Sequence, residues 1–161
     1  MNWGSWLVWG FASTVVLTTV MSGSQGLGLT RMNIPYLVGT MFTPSRDRAK
    51  VYGVAVHLFI GWVFSLAYVA AFHVTHVFSW WFGAAIGLVH GAFVLVVALP
   101  AMPGMHPRMA SEIRGPTIAK QLEPPGFLGR NYGIRTPISA VVAHILFGVI
   151  LGIFYSPLRG F

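Results

Sequence analysis

Two stretches of this chain carry the same pattern of residues capable of chemistry. Val54–Tyr68 reads VAVHLFIGWVFSLAY and Val141–Tyr155 reads VVAHILFGVILGIFY. Each sets a histidine, His57 or His144, four residues before a glycine, Gly61 or Gly148, in an otherwise apolar segment. Positions four apart share a helix face, so each glycine removes bulk beside its imidazole. Two facing imidazoles with cleared neighbours are what axial ligation of a b-type haem requires. The same pair could hold another metal ion or take part in proton movement, and the glycines would equally serve close packing of helices.

Other groups offer less. His90 falls near the middle of an apolar run, where it needs an interior partner. It could join His57 or His144, although its expected depth differs from theirs by several ångströms (on the basis of helix rise). His73 and His76 are spaced i, i+3, which allows a shared metal ion or simply two interface histidines. Met102, Met105, His106 and Met109 present soft ligands of the kind Cu(I) takes. Arg31 and Asn33, in a glycine-rich segment ahead of Pro35, suit a lipid phosphate or a partner carboxylate. No glycine-rich nucleotide loop, catalytic triad or carboxylate pair for acid–base chemistry is present.

The elements that must position these residues are membrane spans. Of 161 residues 55% are hydrophobic and only 8% charged, far below the roughly one quarter charged of soluble domains. The expectation is an all-α polytopic membrane protein, a four-transmembrane-helix bundle forming one domain over residues 1–161, with spans near 3–20, 51–72, 80–99 and 138–155. Residues 21–50 and 100–137 are the connecting loops. Trp3, Trp6 and Trp9 suit an interfacial anchor, and MNWGSWLVWGF lacks the basic start of a cleaved signal. Thr43-Pro44 and Thr136-Pro137 are expected to cap and open spans two and four. Pro100 and Pro103 are expected to close span three. A short re-entrant or interfacial piece is expected within 21–39, and a short amphipathic piece around 112–122.

Charge sets the orientation. Arg31, Arg46, Arg48, Lys50, Arg108, Arg114, Lys120, Arg130 and Arg135 share one side, and only Arg159 lies on the other. The positive-inside rule makes the first side cytoplasmic and both termini external. The +7 formal charge is accounted for by topology and anionic lipid contact, and no basic stripe interleaved with aromatics points to nucleic acid. Asp47, Glu112 and Glu123 all lie on the basic side, which argues against a carboxylate proton relay within the spans. With no cysteine, disulfides, thiol catalysis, thiolate iron–sulfur ligation and c-type haem attachment are excluded.

The duplication extends beyond the histidines. Trp9–Gly23 aligns without gaps on His90–Gly104, pairing Gly10 with Gly91, Met21 with Met102 and Gly23 with Gly104. A parallel repeat of two helical hairpins follows, with a pseudo-two-fold axis along the membrane normal and span two opposite span four.

GLGLTRMNIPYLVGTMF, TPSRDRAKVYG and HLFIGWVFSLAY, then HPRM, LEPPGFLG and NYGIRTP, resemble segments of uncharacterised small bacterial four-span integral membrane proteins. The resemblance covers most of the chain. It implies fold class and a bacterial inner membrane and carries no residue role. The first expectation for function is therefore a non-catalytic accessory or structural subunit of a larger membrane complex, respiratory or photosynthetic, or a homo-oligomer, in contact with membrane lipids. One alternative is a haem b electron-transfer subunit using His57 and His144, with His90, Gly61 and Gly148 around the cofactor. The other is an oligomeric metal or small-solute transporter, with His57, His144, His73 and His76 as metal ligands.

Overall fold

The computed structural model describes residues 1–157; Arg159, counted above on the far side, lies outside the described residues. Four helices are long and apolar enough to cross a membrane: α1 (Trp3–Gly26), α3 (Arg46–Thr75), α4 (Trp80–Met105) and α5 (Thr136–Phe154). A short helix, α2 (Ile34–Gly39), sits in the first loop. No β-strand forms among the described residues beyond two isolated bridges. The chain is an all-α, multi-pass membrane protein, and its lipid-facing shell is made of exposed apolar side chains such as Leu7, Phe59, Val89 and Ile153.

Several boundaries differ from expectation for identifiable reasons. α1 runs to Gly26, because Ser13, Thr14, Thr18 and Thr19 each return a hydroxyl to the carbonyl four residues back and leave the helix intact. α3 begins at Arg46 behind Ser45, while the Thr43 hydroxyl accepts the Ser45 N–H at 3.2 Å, just upstream of the helix. Thr136 opens α5, but its hydroxyl pairs with that of Thr30 at 2.7 Å. The two Thr-Pro steps therefore do different work. α4 passes through Pro100 and Pro103 to Met105. Its Val94–Ala98 turn is a π-helix, with Leu99 N–H reaching back five residues to the Val94 carbonyl. A widened turn moves the carbonyls that the Pro100 ring would otherwise strike. Residues 112–122 form turns rather than a helix, broken at Gly115-Pro116.

α2 is the short helical piece expected within residues 21–39. Asn33 Oδ1 accepts the Tyr36 N–H at 2.9 Å, and Pro35 lies in the first turn. The helix crosses α3 where Gly39 and Gly53 meet. A Cβ on Gly39 would lie 1.8 Å from the Ala49 carbonyl oxygen, and one on Gly53 1.7 Å from that of Pro35.

The four spans pack in the circular order α3, α1, α5, α4. Span two therefore lies diagonally opposite span four, as a pseudo-two-fold requires. Three of the four seams are closed. α3 and α4, although joined by a short turn, touch mainly through side chains: Phe72 with Phe82, Tyr68 with His90, and Phe64 with His90. At the turn end of the bundle the Tyr155 hydroxyl accepts the Asn2 N–H at 3.1 Å and pairs with His73 Nε2 at 2.8 Å, while Ser156 N–H donates to Ser5 Oγ at 2.9 Å.

Candidate functional site: a three-histidine cavity between α3 and α4

The tight seam is built on glycine. Gly83, Gly87 and Gly91 recur every fourth residue on α4, so they form one bare stripe. A Cβ on Gly83 would lie 2.0 Å from the Gly148 carbonyl oxygen, and one on Gly148 1.9 Å from that of Gly83. Gly87 meets the His144 carbonyl, and Gly152 that of Ser79. Gly148 thus makes room for a helix, not for a ligand. Gly61 is different: a Cβ there would meet the Thr14 side chain, and the residue also walls a cavity.

These contacts bear on the repeat. Gly10 packs on Ser65, whose counterpart in the second hairpin is Gly152. Gly91, aligned with Gly10 in sequence, packs instead on His144, two turns away from Gly152. The gap-free match of Trp9–Gly23 to His90–Gly104 therefore does not describe equivalent packing positions.

Drawing α4 onto α5 leaves a cavity of about 200 Å3 facing α3. His57 reaches it from α3, His90 from α4 and His144 from α5. Phe64 and Phe147 close the side towards the turn end, and Met32, Ile34 and Val38 close the side towards the loops. Val94, Ala98 and Leu99, on and beside the π-turn, form part of the wall. No charged residue lines it.

Each imidazole is oriented through Nδ1. That of His57 lies 3.1 Å from Thr18 Oγ1, that of His90 3.0 Å from the Tyr68 hydroxyl, and that of His144 2.7 Å from the Ala140 carbonyl oxygen. His90 also stacks on Phe64 with centroids 4.9 Å apart, and stands edge-on to His144 at 4.7 Å. His90 is thus brought next to His144 despite the depth difference expected from sequence. The α4–α5 register explains this: Gly87 and Gly91 straddle His144 and slide the two rings to one level. Comparison with protein-family models, with curated proteins and with solved structures finds no match to this chain. The site therefore has to be read from its own chemistry.

His57 and His144 face a common cavity, but a porphyrin does not fit between them. Pockets for drug-sized molecules, themselves smaller than haem, run about 300–1,000 Å3, and the His90 ring already stands against His144. Among the described residues no group of three or more His, Asp or Glu is placed to hold a metal ion. His73 turns to Tyr155 and Phe78, whereas His76 ends α3 exposed, in a left-handed conformation at φ 57°. His106, proposed with its methionines as a soft metal site, is buried with both ring nitrogens engaged. Nε2 lies 3.0 Å from the Leu37 carbonyl, and Nδ1 accepts the Arg108 N–H at 3.0 Å. Its role is to tie the second loop to α2.

Sequence reasoning missed the residues that aim the imidazoles. Thr18 lies one turn from Thr14 on an apolar helix, and Tyr68 ends the duplicated segment; both were visible as polar groups without an assigned partner. The Gly83/Gly87/Gly91 spacing was also legible, and it would have fixed the α4–α5 contact.

Proposed function

We propose that this chain is a non-catalytic accessory subunit of a larger bacterial membrane complex. In this reading it lies in the inner membrane with the loop end in the cytoplasm and the turn end outside. The observation that carries the reading is on the loop end. Ile113 and Ile118 are 95% and 97% exposed, yet the backbone that presents them is held in place. Ala110 N–H bonds the Leu122 carbonyl, Leu122 N–H that of Arg108, and Gly126 N–H donates to Glu112 Oε1 at 2.7 Å. Arg31 joins this loop to the first through Glu123 at 3.2 Å, and Arg108 Nη1 reaches the Thr40 carbonyl. Large apolar side chains held outward by an ordered loop support docking to a partner at this end. Arg114 and Lys120 beside them favour a partner segment that mixes acidic and apolar residues.

Native-gel analysis of mildly solubilised membranes tests this. Tagged wild type should migrate in an assembly much larger than one chain. The double variant Ile113→Asp, Ile118→Asp should migrate alone with unchanged melting temperature. Wild type that migrates alone would refute the reading. The absence of cysteine makes the orientation testable as well: Ile118→Cys should react with a membrane-impermeant maleimide only after cells are opened.

A further inference from the structure

The three-histidine cavity is independent of the loop surface, and its polar atoms specify a ligand. The Thr18 hydroxyl donates to the Thr14 carbonyl at 2.8 Å. Its lone pair therefore faces His57, whose Nδ1 must carry the proton. His144 Nδ1 donates to a carbonyl, so it too is protonated. In both rings Nε2 is left as an acceptor. The Tyr68 hydroxyl has no acceptor among the described residues other than His90 Nδ1. It donates there, and His90 Nε2 becomes an N–H donor. None of the three Nε2 atoms has a partner among the described residues.

The cavity thus offers two acceptors and one donor in an apolar wall. A phospholipid headgroup finds no cation there, and burying its charge without a partner would be costly. A hydroxylated ring matches: each hydroxyl can donate to an imidazole acceptor, and one can accept from His90. Phe64 and Phe147 supply aromatic surface for the ring. Ile60 and Phe93 stand at the mouth and are exposed on the bilayer side, so an alkyl tail can remain in lipid. We propose that the α3–α4 cavity binds the dihydroxylated aromatic headgroup of a membrane-dissolved quinol, entering sideways from the bilayer.

The test uses the full-length protein in nanodiscs, kept anaerobic, with radiolabelled 2-decylhydroquinone as probe and empty nanodiscs as background. Saturable binding of one molecule per chain is expected. The dimethyl ether of the same probe keeps its size and tail but loses both donors, and it should bind at least about tenfold more weakly, the loss expected for one hydrogen bond. His57→Leu and His144→Leu should each weaken binding by about the same factor. Ala98→Phe, which fills the cavity from its wall and leaves all three histidines in place, should abolish it. Uptake no greater than that of empty nanodiscs would overturn the proposal, as would equal binding of the ether. Should the variants fail to fold, the comparison of the two probes on wild type decides alone.

Discussion

The two hairpins use related segments and close in opposite ways. In the first, α1 meets α3 through side chains: Gly10 on Ser65, Gly61 on Thr14, Trp6 Nε1–H to Ser65 Oγ at 2.8 Å, and Trp6 stacked on Trp62. In the second, α4 meets α5 backbone to backbone across Gly83, Gly87, Gly148 and Gly152. Apolar side chains gain little by leaving lipid for one another, so close approach of small residues is what holds membrane helices together. The glycine seam is the rigid one, and the side-chain seam can adjust. The difference also explains the cavity, because α4, drawn tightly onto α5, reaches α3 only through side chains such as Phe82 and His90.

Placing the same substitution at both copies of the duplicated glycine tests this contrast most directly. Gly148→Ala sets a methyl group against the Gly83 carbonyl, and backbone must move. We expect a loss of about 3 kcal/mol, read as a large drop in thermal stability in micelles. Ser65→Ala comes next: it strips the acceptor from the Trp6 indole and should cost about 1–2 kcal/mol, with a shift in tryptophan emission. Gly61→Ala should cost about 1 kcal/mol, since the buried Thr14 side chain must shift but no backbone has to move, and alanine favours the helix. Equal losses at Gly61 and Gly148 would erase the distinction between the seams.

The smallest effect concerns the loop end. Burial holds the His106 pKa below its ordinary 6.5, against the opposing pull of the Leu37 carbonyl, with the charges of Arg108 and Lys120 adding to the lowering. Above that value the ring is neutral folded or unfolded, and its anchoring is at full strength. Below it the unfolded loop takes up a proton that the folded loop resists, so stability falls with pH. Protection factors over residues 106–126, corrected for the intrinsic pH dependence of amide exchange, should fall as pH drops below 6.5, and His106→Gln should flatten the dependence. Tyr132, whose pKa burial and Glu123 push up to about 12, contributes no titration in this range.

Apolar runs without charge made the four spans legible, and basic residues marked the loop end. The pairing of His57 with His144 around one cavity could be anticipated from their equivalent places in the two repeated segments. The place of His90 could not, because depth counted along a single helix says nothing of how far its neighbour has slid. Pro100 misled for a related reason. A proline stops a helix of regular pitch, and only the structure reveals that the preceding turn is wide enough to let it pass. The outward placement of Ile113 and Ile118 was hidden because a chain broken by glycine and proline gives no periodic signal, even where backbone hydrogen bonds hold it in one shape.

The bonds at the turn end bear on the order of events in time. α1 is synthesised before the groups that fasten its opening turn, Tyr155 and Ser156. Until α5 has entered the membrane, Asn2 and Ser5 lack these contacts and α1 is steadied only by α3. The bundle therefore locks only when α5 slides between α1 and α4. A chain released before Ser156 would leave the first helix unlatched.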